Sequence, residues 1–236
     1  MKNALSTTAF AFTLVSGLAM THTAHAGQYE IDQIEAAASQ LDLTELQQLS
    51  QQMQGYDLAL NQYRIALSAN LTGQKDLASK AIDEAMTLLE KLDAESPESP
   101  EIKALLAQVY GYKIAISPLK GVYYGPKAGE ALQQAKALAP NNPRVHLVAG
   151  ISAFNTPAMF GGSIEVALSS FSKAIEAYKM DGQSDYHWGH AETFTWRGLV
   201  HQQQGDMQEA RADWQKALEI EPGYGWANML IAKNKG

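Results

Sequence analysis

The chain has no cysteine among its 236 residues. That excludes a disulfide scaffold, a thiolate metal site, a thiol nucleophile and a cysteine-linked lipid anchor. Basic residues are scarce: 18 Lys and Arg stand against 25 Asp and Glu, a formal charge of −7 with a pI near 5.4. Nucleic-acid binders normally carry a basic stripe, so no nucleic acid is expected as a partner. Charged residues are only 18% of the chain and hydrophobic ones 46%, which is enough for a real core and excludes disorder. Strand signals are missing as well, with no sustained period-two alternation and few Val, Ile and Thr clusters. Beyond the first 26 residues no apolar run is long enough to span a bilayer, so no membrane span is expected.

What is present starts with an export signal. Lys2 supplies a short positive region, Ala4 to Met20 is an uncharged run, and Ala24-His25-Ala26 is an A-x-A cleavage site. Ser6, Thr7, Thr8, Thr13, Ser16 and Gly17 make that run poor as a membrane anchor. The expectation is a cleaved signal peptide over 1–26, cut after Ala26, with a periplasmic product if the cell is Gram-negative. A missing cysteine suits such an oxidising compartment. Residues 27–56 are rich in Gln and acid, and no Lys or Arg occurs between Lys2 and Arg64. Ile31, Ile34, Ala37 and Leu41, then Leu46, Leu49 and Met53, recur at helical spacing. They are read as a helical cap on the first of a series of repeats.

From residue 57 to 236 the chain reads as paired amphipathic helices punctuated by Gly, Pro and Asn. The clearest unit is Ala191 to Pro222. Gly198 stands where two helices cross closely, Gly205-Asp206 makes the turn, and Ala210, Trp214 and Ala217 follow at spacings of four and three. This small-large-small series lets the second helix nest on the first, and Pro222 ends the unit. These residues resemble a tetratricopeptide repeat (TPR), a helix–turn–helix unit; Arg197 and His201 depart from it where leucine and tyrosine are usual. The second-helix spacing recurs at Ala128, Leu132 and Ala135 before Pro140, at Ala167, Phe171 and Ala174, and at Ala78, Ile82 and Ala85 after Gly73. About four units result, above the minimum of three for a continuous core. The expected fold is all-α: a right-handed α-solenoid of TPR-like repeats with N- and C-terminal capping helices, the latter over Gly225–Lys235.

Two connections are longer than the repeat requires. One runs Asn155-Thr156-Pro157-Ala158-Met159-Phe160-Gly161-Gly162-Ser163, and the other from Ser117 to Pro126 through Tyr123 and Tyr124. In solenoids such insertions gather on one face, often the functional one. The Pro-x-x-Phe-Gly-Gly loop, with Asn141-Asn142-Pro143-Arg144 and Tyr124-Gly125-Pro126-Lys127-Ala128, resembles a subfamily of exported bacterial TPR-like proteins. Its relatives include a lipoprotein associated with TRAP-type solute transporters. That relative is anchored through a cysteine this chain lacks, so the resemblance does not carry over its membrane tether.

Candidate binding residues follow from repeat register. Arg144, Leu147, Ile151 and Phe154 share one face of a first helix, and Glu192, Thr195, Leu199 and Gln202 share the same face of the next. Such a mixed inner surface suits a peptide or a partner's helix. The insertion loops add Tyr123, Tyr124, Asn155, Phe160, Gly161 and Gly162. His187, His190, Glu192 and His201 have a metal-like look, but H-x-x-H here lacks zinc-peptidase spacing, and they are read as packing or solvent-facing residues. The glycines before Ser163 can expose N–H groups to an anion. The preferred reading is that they allow positive φ, Ser163 caps the helix and Phe160 plugs a gap between repeats. Trp188 and Trp226 are placed near helix starts, where they can line a groove. No catalytic constellation, cofactor or metal site is expected. The functional expectation is a non-enzymatic adaptor for a protein or peptide; the alternative is a small-molecule binding or delivery component working with an envelope transporter.

Overall fold

The computed structural model describes residues 27–182 and 186–234; the signal-peptide reading lies outside the described residues. Within them the chain is all-α, with 11 α-helices, two short 3-10 turns and no strand. Two helices precede the repeats, α1 (Gln28–Ser39) and α2 (Leu43–Leu49). Four antiparallel hairpins follow: α3 (Gly55–Leu71) with α4 (Lys75–Glu95), α5 (Pro100–Ile116) with α6 (Gly121–Leu138), α7 (Pro143–Asn155) with α8 (Ile164–Tyr178), and α9 (His190–Gln203) with α10 (Met207–Ile220). A last helix, α11 (Gly225–Lys233), packs on α10. This is a TPR-like α-solenoid.

Local chemistry sets these boundaries. Ser99 caps α5 and Asn142 caps α7, each followed by Pro at the first helical position, where a missing N–H costs nothing. Asp42, Ser163 and Asp206 cap α2, α8 and α10. Gly73 and Gly205 close the first and last hairpins at φ +83° and +84°, a conformation that disfavours any side chain. The small-large-small faces lie inward: Ile82, Phe171 and Trp214 are fully buried. A β-carbon on Gly150 would stand 2.5 Å from the Phe171 ring, and one on Gly198 2.5 Å from Trp214 Nε1, so each glycine is what allows its hairpin to close.

The connection expected to run from Ser117 to Pro126 is a correction. A 3-10 turn over Pro118–Lys120 leads directly into α6, which starts at Gly121 and takes Pro126 inside it. Proline there deprives only the Val122 carbonyl of a donor, and Val122 is exposed to water, so the helix tolerates it. Tyr123 and Tyr124 therefore sit on the first turn of a helix.

The N-terminal helices reach further than a cap on the first repeat. Ile31 and Ile34 are fully buried in the same core as Tyr63, Leu147, Phe171, Trp188 and Val200, which come from the first, third and fourth hairpins and the connection into α9. Gln28 exchanges two hydrogen bonds with the backbone of His187, at 3.0 and 2.8 Å. At the other end of α1, the Ser39 carbonyl approaches the start of α11 so closely that a β-carbon on Gly225 would lie 3.0 Å from it. Helix α1 thus links the first repeat to the last.

Candidate functional site

The inner face carries two buried ion clusters. Arg64 on α3 holds Glu35 of α1 through two contacts, at 2.7 and 2.9 Å, and its third nitrogen meets Glu192 of α9 at 2.6 Å. Tyr63 leans toward Glu192 at 3.4 Å and accepts from Gln108 at 2.7 Å. On the third hairpin, Arg144 of α7 bonds Glu101 at 2.8 Å and Asp181 at 2.6 Å. Burial alone would push the Arg144 guanidinium toward neutrality, but these two carboxylates more than offset it and hold it charged. Burial likewise raises the Asp181 carboxyl, and hydrogen bonds from His187 and Arg144 outweigh that and lower it. Bidentate arginine–carboxylate geometry of this kind fixes orientation as well as charge.

These contacts correct the groove reading. Arg144, Leu147, Ile151, Glu192 and Thr195 are all at most 8% exposed. The inner face is closed because α1 lies along it and residues 186–189, before α9, pack over it. Leu147 touches the connection at Gly189, and Thr195 donates to the Ala191 carbonyl within its own helix. Trp188 is corrected with them: it is 2% exposed and its indole N–H donates to Tyr56 Oη at 2.9 Å. Phe154 and Gln202 remain half-buried, and Gln202 donates to Asn234 at 2.8 Å. The histidines are dispersed among these partners. His187 meets Asp181 at 3.0 Å, His190 stacks on Tyr178 with centroids 4.6 Å apart, and His201 lies 3.8 Å from Asp213. Burial, helped by nearby His187, lowers the His190 pKa. Among the described residues no group of His, Asp and Glu is arranged to hold a metal ion.

The edge of the solenoid where helices of a hairpin turn back is built differently. The turn between α5 and α6 exposes Leu119 (97%), Val122 (91%) and Tyr123 (62%); the turn between α7 and α8 exposes Met159 (82%) and Phe160 (72%). Phe160 is a second correction: it projects outward and plugs no gap. Both are intra-hairpin turns of consecutive repeats, which solenoid geometry brings to one edge. Their bases are rigid. Tyr124 stacks on Tyr110 at 5.5 Å and meets Tyr123 edge-on at 4.9 Å, and the Lys127 ammonium lies 4.8 Å from the Tyr123 ring centre. Lys127 and Tyr110 both bond Glu90, at 3.1 and 2.7 Å.

In the second turn the Asn155 side chain donates back to the Ile151 carbonyl at 2.8 Å and closes α7. Gly161 takes φ +93°. Gly162 is bare because a β-carbon there would overlap the Thr156 carbonyl. Ser163 Oγ accepts from the Val166 N–H at 3.2 Å. Gly161 and Ser163 therefore have the structural role expected of them, whereas Gly162 is not at positive φ and is glycine for want of space. Behind this turn lies an open cleft of about 510 Å³, bordered by Phe154, Asn155, Thr156, Gly162, Ser163 and Gln203. Phe154 is the first ring of an edge-to-face series that continues through Trp196 (6.1 Å) to Trp226 (5.1 Å).

Sequence reasoning missed Leu119, Val122 and Met159. Their signal was available: three bulky apolar residues in turn segments, where the chain runs over the surface. Arg64, Glu35 and Asp181 were missed because their pairing is non-local.

Comparison with known proteins agrees with this architecture. Residues 191–224, the fourth hairpin and the connection to α11, match the tetratricopeptide repeat family model. A search of curated proteins finds no significant match. Among solved structures, TTC0263, a thermophilic TPR protein of Thermus thermophilus, is similar over 87% of this chain and 92% of its own, at 20% identity and a TM-score of 0.50. The HusA haemophore from Porphyromonas gingivalis is similar over 75% and 91%, at 19% identity and a TM-score of 0.48. At these identities the likeness is one of fold.

Proposed function

We propose that this protein is an exported, non-catalytic interaction module that recruits a protein partner on its hairpin edge instead of in its concave groove. The observation that carries this reading is the exposure of Leu119, Val122, Tyr123, Met159 and Phe160 on two neighbouring, rigidly based turns. Single exposed apolar residues are ordinary on a surface, but five at the ends of two consecutive hairpins support a docking role. Export is supported by the Lys2, apolar-run and Ala24-His25-Ala26 pattern and by the missing cysteine. No helix of the described residues is long and apolar enough to cross a membrane.

The test is site-specific photo-crosslinking in cells, with the probe at position 123 and a control probe at the half-buried Gln202. A recurrent partner captured from the edge, and lost in Val122→Ser with Phe160→Ser, supports the adaptor. Capture unaffected by those substitutions sinks it.

The cleft behind the second turn favours a second reading, a small-molecule carrier. Its volume of about 510 Å³ is in the range of ligand pockets, and it combines the Phe154 ring with the polar side chains of Asn155, Thr156 and Gln203. A metabolite co-purified with the wild type and lost in Phe154→Ala would establish this reading over the adaptor. Partnership with an envelope transporter then follows as its delivery route.

A further inference from the structure

At the start of α1 two carboxylates converge, and no cation among the described residues is bonded to either. Asp57, in the first turn of α3, accepts the Gly27 backbone N–H on its carboxylate. Its Oδ1 atom is buried and has no hydrogen-bond partner among the described residues. The Glu30 carboxyl folds back against the same residue, so that a β-carbon on Gly27 would overlap Glu30 Oε2. Burial, with Glu30 nearby, pushes the Asp57 carboxyl up to about 6 while Gly27 is an ordinary amide. Sequence offers no neighbouring relief, because no Lys or Arg occurs between Lys2 and Arg64. Gly27 itself is fixed from its other side, where Gln28 is bonded to His187 in both directions and to Asp32 at 2.7 Å. Asp57 as a whole is half-buried, but a buried, unsatisfied carboxylate oxygen costs free energy unless something completes it.

Resting on the export reading, we propose that Asp57 and Glu30 form a receptor for the free α-ammonium of Gly27. That group is created when residues 1–26 are removed. Water adds across the Ala26–Gly27 amide under a processing peptidase: the acyl carbon keeps the oxygen as a carboxylate on the departing segment. The nitrogen stays with Gly27 and is protonated at neutral pH. One N–H donor becomes three, together with a unit positive charge, at the place where two carboxylates already converge. Asp57 Oδ1 gains its missing donor, and the Glu30 carboxyl, folded back over Gly27, lies beside the new terminus. Maturation thereby locks α1 along the inner face. Before the cut, the same segment is held without its charge partner.

The test compares the chain beginning at Gly27 with a free amine, the same chain acetylated at Gly27, and the uncut chain. The free amine should melt about 2–8 °C above the other two, the span expected of roughly 1–2 kcal/mol in a protein of this size. Its α-amine should titrate above the ordinary range of about 7.7–8.0, read from the pH dependence of amine acylation. Asp57→Asn should bring the free-amine form down to the acetylated one and restore the ordinary amine titration, while Glu30→Gln should give part of that effect. Equal melting of free and acetylated forms, or an ordinary α-amine in the wild type, overturns the site. Failure of the export reading is separately visible. A native N terminus other than Gly27, read by mass spectrometry of protein from cells, overturns the maturation role whatever the purified chain does.

Discussion

On the inner face of the solenoid, Arg64 and Arg144 are each held by two carboxylates behind a helix taken from the N-terminal part of the chain. On the hairpin edge, Leu119, Val122 and Phe160 face outward from turns fixed by tyrosine stacking and a serine cap. At these two places charged side chains are buried and bulky apolar ones exposed, against the general trend that the rest of the core follows. The contrast shows that a repeat's concave surface is a binding groove only while nothing in cis fills it. Here α1 and residues 186–189 fill it, and the exposed apolar side chains stand at the edge instead.

Breaking the inner face gives the largest effect. Arg64→Ala leaves Glu35 and Glu192 facing each other without a cation, a loss of about 3–5 kcal/mol for a buried pair. Denaturant unfolding measures it, and hydrogen exchange should show α1 opening first. A rival view, in which α1 rests on its isoleucines alone, expects almost no change. Next comes the packing that both regions share: Gly198→Ala drives a methyl against Trp214 and the Ala210 carbonyl, at about 1–3 kcal/mol by thermal melting.

A pH experiment sharpens the inner-face side. In the uncut chain Asp57 has a folded pKa of about 6, above its ordinary 3.8. Its neutral form is therefore favoured by folding. Stability is full below about 3.8 and is lost as pH rises through about 6. In the chain with a free Gly27 ammonium that loss should shrink, because the cation favours the ionised form.

The edge is expected to carry the smallest stability effects and, on the proposed function, the largest effects on partner capture. Ser163→Ala removes the α8 cap and should cost about 1 kcal/mol. Val122→Ser and Phe160→Ser, both exposed, should change stability by no more than about 0.5 kcal/mol. If those two lower the melting point by several degrees, the edge is structural and the comparison fails.

Much of the architecture was legible because it is written locally. The Ala210-Trp214-Ala217 face, the Gly198 crossing and the Gly205 turn each follow from helical geometry within about 20 residues. The glycine–serine turn before α8 was legible for the same reason. The groove residues were misread because register tells which side of a helix faces inward, and not what lies against it. Arg144 and Glu192 do face inward, and they are covered. The reach of α1 was illegible too: Gln28 and His187 are 159 positions apart, and no spacing rule connects them.

By itself, then, the sequence determined the all-helical class, the four hairpins and their caps, and the absence of thiol chemistry. Propensity, capping and periodicity act over one or two turns, so they can be read without coordinates. Only the tertiary structure decided that the inner face is closed, that two arginines are buried in carboxylate pairs, and that the edge is left apolar and open. Those outcomes depend on how far the stacked hairpins curl, which is a sum over every helix–helix contact in the chain.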